Sequence, residues 1–97
     1  MPAYVISEVK FLDDALVERY RALAQAAIAQ FGGRYIVRGG PVVLVEGERD
    51  PECRIVIVEF ASMEQAREWY RSPAYAEALL VRNVGALERT LVFVEGV

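Results

Sequence analysis

Residues Arg54 to Phe60 read RIVIVEF, the strongest β-strand signal in the chain. Successive side chains in a strand point to opposite faces. Ile55 and Ile57 therefore share one face, and Val56, Val58 and Phe60 share the other. Both faces are apolar. The closing stretch Leu91 to Glu95, LVFVE, repeats the pattern, with Leu91 and Phe93 opposed to Val92 and Val94. An antiparallel sheet with one wet face alternates apolar and polar residues instead. Something must cover each side of this sheet.

The remaining elements show what covers one side. Ala3 to Val9, AYVISEV, is a further strand. Asp13 and Asp14 supply a helix start, one as a cap and the other as a favourable charge near the dipole. Leu16, Tyr20, Leu23, Ala27 and Phe31 then recur at helical spacing, and Gly32-Gly33 ends the helix. Arg34 to Arg38, RYIVR, is a strand, and the apolar run VVLVE at Val42 to Glu46 is expected to extend or follow it after the bend at Gly39-Gly40-Pro41. Ser62, with Gln65 three residues on, opens a second helix in a capping-box arrangement. The stretch Trp69 to Tyr75, WYRSPAY, interrupts that helix: Ser72 is the N-cap of a restarted helix and Pro73 its first residue.

The order β-α-β-(β)-β-α-β predicts an α+β fold, a ferredoxin-like β-α-β-β-α-β sandwich, with residues 1–97 as a single domain. Such a fold places both helices on one face of the sheet. The other apolar face then needs a second copy of the chain, and a homodimer with two sheets packed face to face is expected. Burial at about 1.5–3 kcal/mol per large apolar side chain is ample drive for it.

Composition narrows the chemistry. The chain has 97 residues, 55% hydrophobic, above the usual ~45–50%. Net charge is −3 and Lys10 is the only lysine, so no concentrated basic face for nucleic acid is present. No run approaches the ~18 apolar residues of a membrane span. The start, MPAYVISEVKF, lacks a basic segment followed by an apolar one, so no signal peptide is expected. Cys53 is the only cysteine, which excludes an internal disulfide and fits the cytoplasm. With no histidine there is no His-ligated metal or haem and no Ser-His or Cys-His pair. Neither metal nor organic cofactor is expected, and any catalysis falls to Tyr, Glu, Asp, Arg, Ser or water.

The segments GGRYIVRGG, Glu46-Gly47, VIVEF and WYRSPAY, with Arg82 and the closing VEGV, resemble the bacterial family called domain of unknown function 1330. The resemblance covers essentially the whole chain and implies a dimeric α/β-barrel fold. The wider superfamily includes cofactor-free monooxygenases, muconolactone-type isomerases and haem enzymes, with ligands held between sheet and helices. The histidine on which many of them rely is missing here.

Two acid–base candidates follow, Tyr4 and Glu59. Tyr4 shares a face with Ile6, where packing is the plainer role for it. Glu59 lies within the most apolar strand, where a carboxylate has either a raised pKa or an arginine partner. Four residues are candidates for binding a small anionic metabolite. Arg38 adjoins Gly39-Gly40, which lets a ligand approach closely; its plainer reading is an ion pair with Glu46. Ser72 and Tyr75 flank the restarted helix, whose free N–H groups suit an anion; a helix bent to follow the sheet is the plainer reading. Arg82 either clamps an anion or satisfies helix C-terminal carbonyls. Two functions are open: a cofactor-free isomerase or monooxygenase, and a non-catalytic dimer that binds a metabolite or a partner protein.

Overall fold

A computed structural model describes residues 1–97. The elements are β1 (Ala3–Phe11), α1 (Asp14–Gln30), β2 (Arg34–Arg38), β3 (Arg54–Phe60), α2 (Met63–Arg71), α3 (Pro73–Val81) and β4 (Leu87–Glu95). The four strands form one antiparallel sheet in the order β2-β3-β1-β4. This is the ferredoxin-like α+β sandwich. No helix is long and apolar enough to cross a membrane.

All three helices lie on one face. Ala3, Val5 and Val9 of β1, Val58 and Phe60 of β3 and Leu87 of β4 are buried against Ala24, Ala27 and Ile28 of α1, Trp69 of α2 and Tyr75 and Ala78 of α3. The opposite face carries Ile6, Ile55, Ile57, Val92 and Val94 with no helix over it, and the two valines are each 45% exposed. The two-faced strand pattern thus has one face in the core and one open.

The helix ends follow the local chemistry. Asp13 caps α1, its Oδ1 accepting from the Leu16 N–H at 2.9 Å. After α1 the chain turns through Gly32, at φ 73°, a conformation suited to glycine. At Gly33 a Cβ would lie 2.6 Å from the Phe60 ring, so only glycine lets this turn sit on the core. Ser72 joins two helices with one hydroxyl, which donates to the Trp69 carbonyl at 2.7 Å and accepts from the Tyr75 N–H at 3.1 Å. Pro73 follows as the first residue of α3, so WYRSPAY is a stop and a restart. The Ser62 capping box is half made. Ser62 accepts from the Gln65 N–H, but the Gln65 side chain donates to the Phe31 carbonyl and ties α2 to the end of α1.

Three details differ from the expectations. Val42 to Glu46 forms no strand, and all five residues are exposed. Gly39 at φ 71° turns the chain off the edge of β2, and Pro41 has no N–H for a ladder. The buried stripe of α1 is Val17, Tyr20, Ala24, Ala27 and Ile28, whereas Leu16, Leu23 and Phe31 pack at the margin. Finally, β2 slips register. Tyr35 pairs with Val58 and Val37 with Ile57, leaving Ile36 as an inserted residue. Residues 35 and 38 of a regular strand face opposite ways. The slip puts Tyr35 and Arg38 on the same face, and the Arg38 guanidinium lies 4.1 Å from the Tyr35 ring centre.

Candidate functional site

Between the sheet and α1 lies a cleft of about 300 Å³. Its floor is Val5, Ser7 and Val9 of β1, Val56 and Val58 of β3, and Arg89 and Leu91 of β4. Tyr20, Arg21, Ala24 and Ile28 of α1 form the opposite wall, and Trp69 of α2 lines it as well. Tyr35, Arg38 and Gly39 bound it at β2, where Arg38 is exposed and its Nη2 donates to Gln25 Oε1 at 2.6 Å. The walls are mainly apolar, and no carboxylate lines them.

One polar cluster stands at the base. Arg89 extends from β4 on the same face as Leu87 and Leu91, both turned to the core side. Its Nη1 donates to Tyr20 Oη at 2.7 Å, and its Nη2 donates to Tyr75 Oη. The two phenolic oxygens are themselves 2.6 Å apart. Tyr75 is 0% exposed and packs against Trp69 with ring centres 4.2 Å apart.

Arg89 has no acidic partner. The ion pairs of the chain belong to Lys10, Arg21, Arg34 and Arg49, and the buried Nε of Arg89 makes no hydrogen bond. A buried charge is ordinarily paired. Burial disfavours the charge of Arg89, but the tyrosine oxygens outweigh it and raise its pKa, so it stays cationic. Burial, reinforced by Tyr75, pushes the Tyr20 hydroxyl far above its ordinary value. Burial raises Tyr35 too, against the opposing charge of Arg38. Tyr20 and Tyr35 keep their protons at neutral pH and act as hydrogen-bond donors, not bases.

The candidate residues from the sequence separate into groups. Arg38 lines the cleft, and Tyr75 stands behind it with its hydroxyl in the Arg89 cluster. Ser72 is buried and its hydroxyl is engaged by two helix ends; the Tyr75 N–H at the start of α3 is taken by it. Arg82 sits beyond the end of α3 and donates to Asn83 Oδ1 at 2.8 Å. Tyr4 and Glu59 are cross-strand neighbours on the open face of the sheet, away from the cleft, and Glu59 accepts from Arg34 Nε at 2.8 Å.

Arg89 and Tyr20 were not among those candidates. A signal for Arg89 exists: in LERTLVFVE the two-residue period places it in register with Leu87, Leu91 and Phe93, an arginine on an apolar face.

A family model described as "Domain of unknown function (DUF1330)" matches residues 2–97. No curated protein matches. Solved structures with the same fold include the RPA0582 protein of unknown function from Rhodopseudomonas palustris, at 18% identity and TM-score 0.79, covering 99% of this chain and 82% of that one. SnoaB, a cofactor-independent oxygenase from Streptomyces nogalater, is similar at 10% identity and TM-score 0.67, covering 99% and 93%. A dimeric protein of unknown function with a ferredoxin-like fold from Bacteroides fragilis is similar at 16% identity and TM-score 0.65, covering 98% and 96%.

Proposed function

The chain belongs to the DUF1330 family, whose description assigns no activity, and we propose that it is a homodimer in which each cleft binds a small anionic molecule and oxygenates it without a cofactor. The observation that carries this reading is Arg89, a largely buried cation at the base of an apolar cleft with no carboxylate beside it. A bound anion supplies the missing countercharge.

The cleft favours oxygenation over isomerisation. An isomerase must take a proton from carbon and return it, which calls for a base in hydrogen-bond reach. The walls hold no carboxylate, histidine or lysine, and Tyr20 keeps its proton. An electron-rich substrate that arrives ionised needs no such base. It gives electrons to dioxygen, which bonds to the carbon as a peroxide. The O–O bond then breaks as the remaining C–H proton passes to the outer oxygen. That oxygen departs as hydroxide and takes a proton from solvent to become water, so that a CH₂ becomes a carbonyl. The fold is shared with SnoaB, a cofactor-independent oxygenase. Dimerisation draws on the open apolar sheet face and on the dimeric protein from Bacteroides fragilis. In such a dimer Tyr4 and Glu59 belong to the interface.

Oxygen consumption with a panel of one- and two-ring hydroquinones and enolisable ketones tests the activity. Uptake by the wild type that Arg89→Ala abolishes supports oxygenation. Equal rates for both proteins on every compound remove it and leave a binding protein.

A further inference from the structure

Two hydroxyl groups, of Tyr20 and Tyr75, meet at Arg89. A guanidinium only donates hydrogen bonds. Arg89 donates through Nη1 to Tyr20 and through Nη2 to Tyr75, so each phenolic oxygen already accepts one. The two oxygens share one further hydrogen bond at 2.6 Å. Two hydroxyl hydrogens are present and that bond uses one. The other has no acceptor in the protein.

Burial decides which tyrosine holds it. Tyr75 is wholly enclosed and lines no part of the cleft, whereas Tyr20 forms part of its wall. Tyr75 therefore donates to Tyr20, and the hydrogen of Tyr20 is left for the cleft. Arg89 holds both rings in place, and Tyr75 positions Tyr20 without meeting the ligand.

We propose that this base of the cleft accepts a single ionised oxygen on a flat conjugated body, a phenolate or an enolate, with Tyr20 as its hydrogen-bond donor. The proposal rests on the reading of the cleft as an anion site and gives that anion a chemical class. A carboxylate is best met by the two parallel donors of an arginine fork. Here each terminal nitrogen of Arg89 already gives an N–H to a tyrosine, its Nε is buried, and the O–H of Tyr20 is the donor left for the cleft. One donor backed by one cation suits one oxygen. The apolar walls of Val5, Val9, Val58, Ile28 and Leu91 suit a ring.

The probe is p-nitrophenol, whose ionised form is coloured, titrated against the full-length protein across pH, with benzoate as the carboxylate of equal ring size. The expected result is a pKa of bound nitrophenol lower than that of the free compound by about one unit or more, a tenfold preference for phenolate. Tyr20→Phe, once its melting curve shows it folded, returns that pKa to near the free value. The wild-type shift needs no variant, so a Tyr20→Phe protein that fails to fold does not block the test. Benzoate binding tenfold more tightly than nitrophenolate overturns the proposal while leaving the anion site intact. An undiminished shift in folded Tyr20→Phe also overturns it. If neither benzoate nor nitrophenolate binds, the proposal and the anion site fall together.

Discussion

Tyr20 and Tyr75 come from different helices, 55 residues apart in sequence, and their hydroxyl oxygens meet at 2.6 Å over the guanidinium of Arg89. The contact couples α1, α3 and β4 at one point. It joins two roles, closure of the core and definition of the base of a cleft, and substitutions there separate them.

Arg89→Leu removes a largely buried cation that has no countercharge in the chain. Replacing buried ionic groups with apolar ones of similar size is often neutral or stabilising. We expect stability within about 1 kcal/mol of wild type by urea denaturation, with binding of anionic ligands lost. A loss above about 3 kcal/mol would assign Arg89 to the framework instead.

Alkaline pH is predicted to unfold the protein early. Tyr20 and Tyr35 both titrate higher when folded than the ordinary tyrosine value, chiefly because of burial. Below the unfolded tyrosine pKa of about 10, both states are protonated and the stability is fully present. Above it, the unfolded chain ionises first, so stability falls as pH rises. Melting temperatures measured from pH 8 to 11.5 should decline beyond about pH 10. Tyr20→Phe should flatten that decline, leaving the part due to Tyr35.

Ser72→Ala deprives two helix ends of one hydroxyl. The cap of α3 is lost and the last turn of α2 loses a donor to the Trp69 carbonyl. The expected destabilisation is about 1–2 kcal/mol. At this chain length that is a drop of roughly 4–8 °C in melting temperature per kcal/mol, readable by calorimetry.

Ile57→Glu places a charge at the centre of the open sheet face, where Ile57 is opposite Ile6. Light scattering at micromolar concentration should give a dimer for the wild type and a monomer for the variant. A wild-type monomer would remove the dimer reading altogether.

Local chemistry made most of the fold readable. RIVIVEF announced two apolar faces, and WYRSPAY announced a helix restart, because period and capping act within a few residues. The cleft was harder. Tyr20 stood out in the sequence only as one member of an apolar helical stripe, since its hydroxyl has meaning only beside Tyr75 and Arg89. Tyr4 and Glu59 attracted notice through their apolar surroundings, and those surroundings proved to be the open face of the sheet. Arg38 reached the cleft through a register slip that no spacing in RYIVR discloses. The run at Val42 to Glu46 has strand composition but no neighbouring strand to pair with, so composition alone left it unpaired.

The slip at Ile36 has a second effect, on the sheet's outer margin. As an end strand, β2 offers a row of unsatisfied backbone groups to any passing extended chain. An inserted residue breaks the even spacing that such a chain must match. With five residues and a fault in the middle, β2 is a poor template for edge-to-edge aggregation. The same irregularity that stacks Arg38 on Tyr35 thus keeps strangers from extending the sheet.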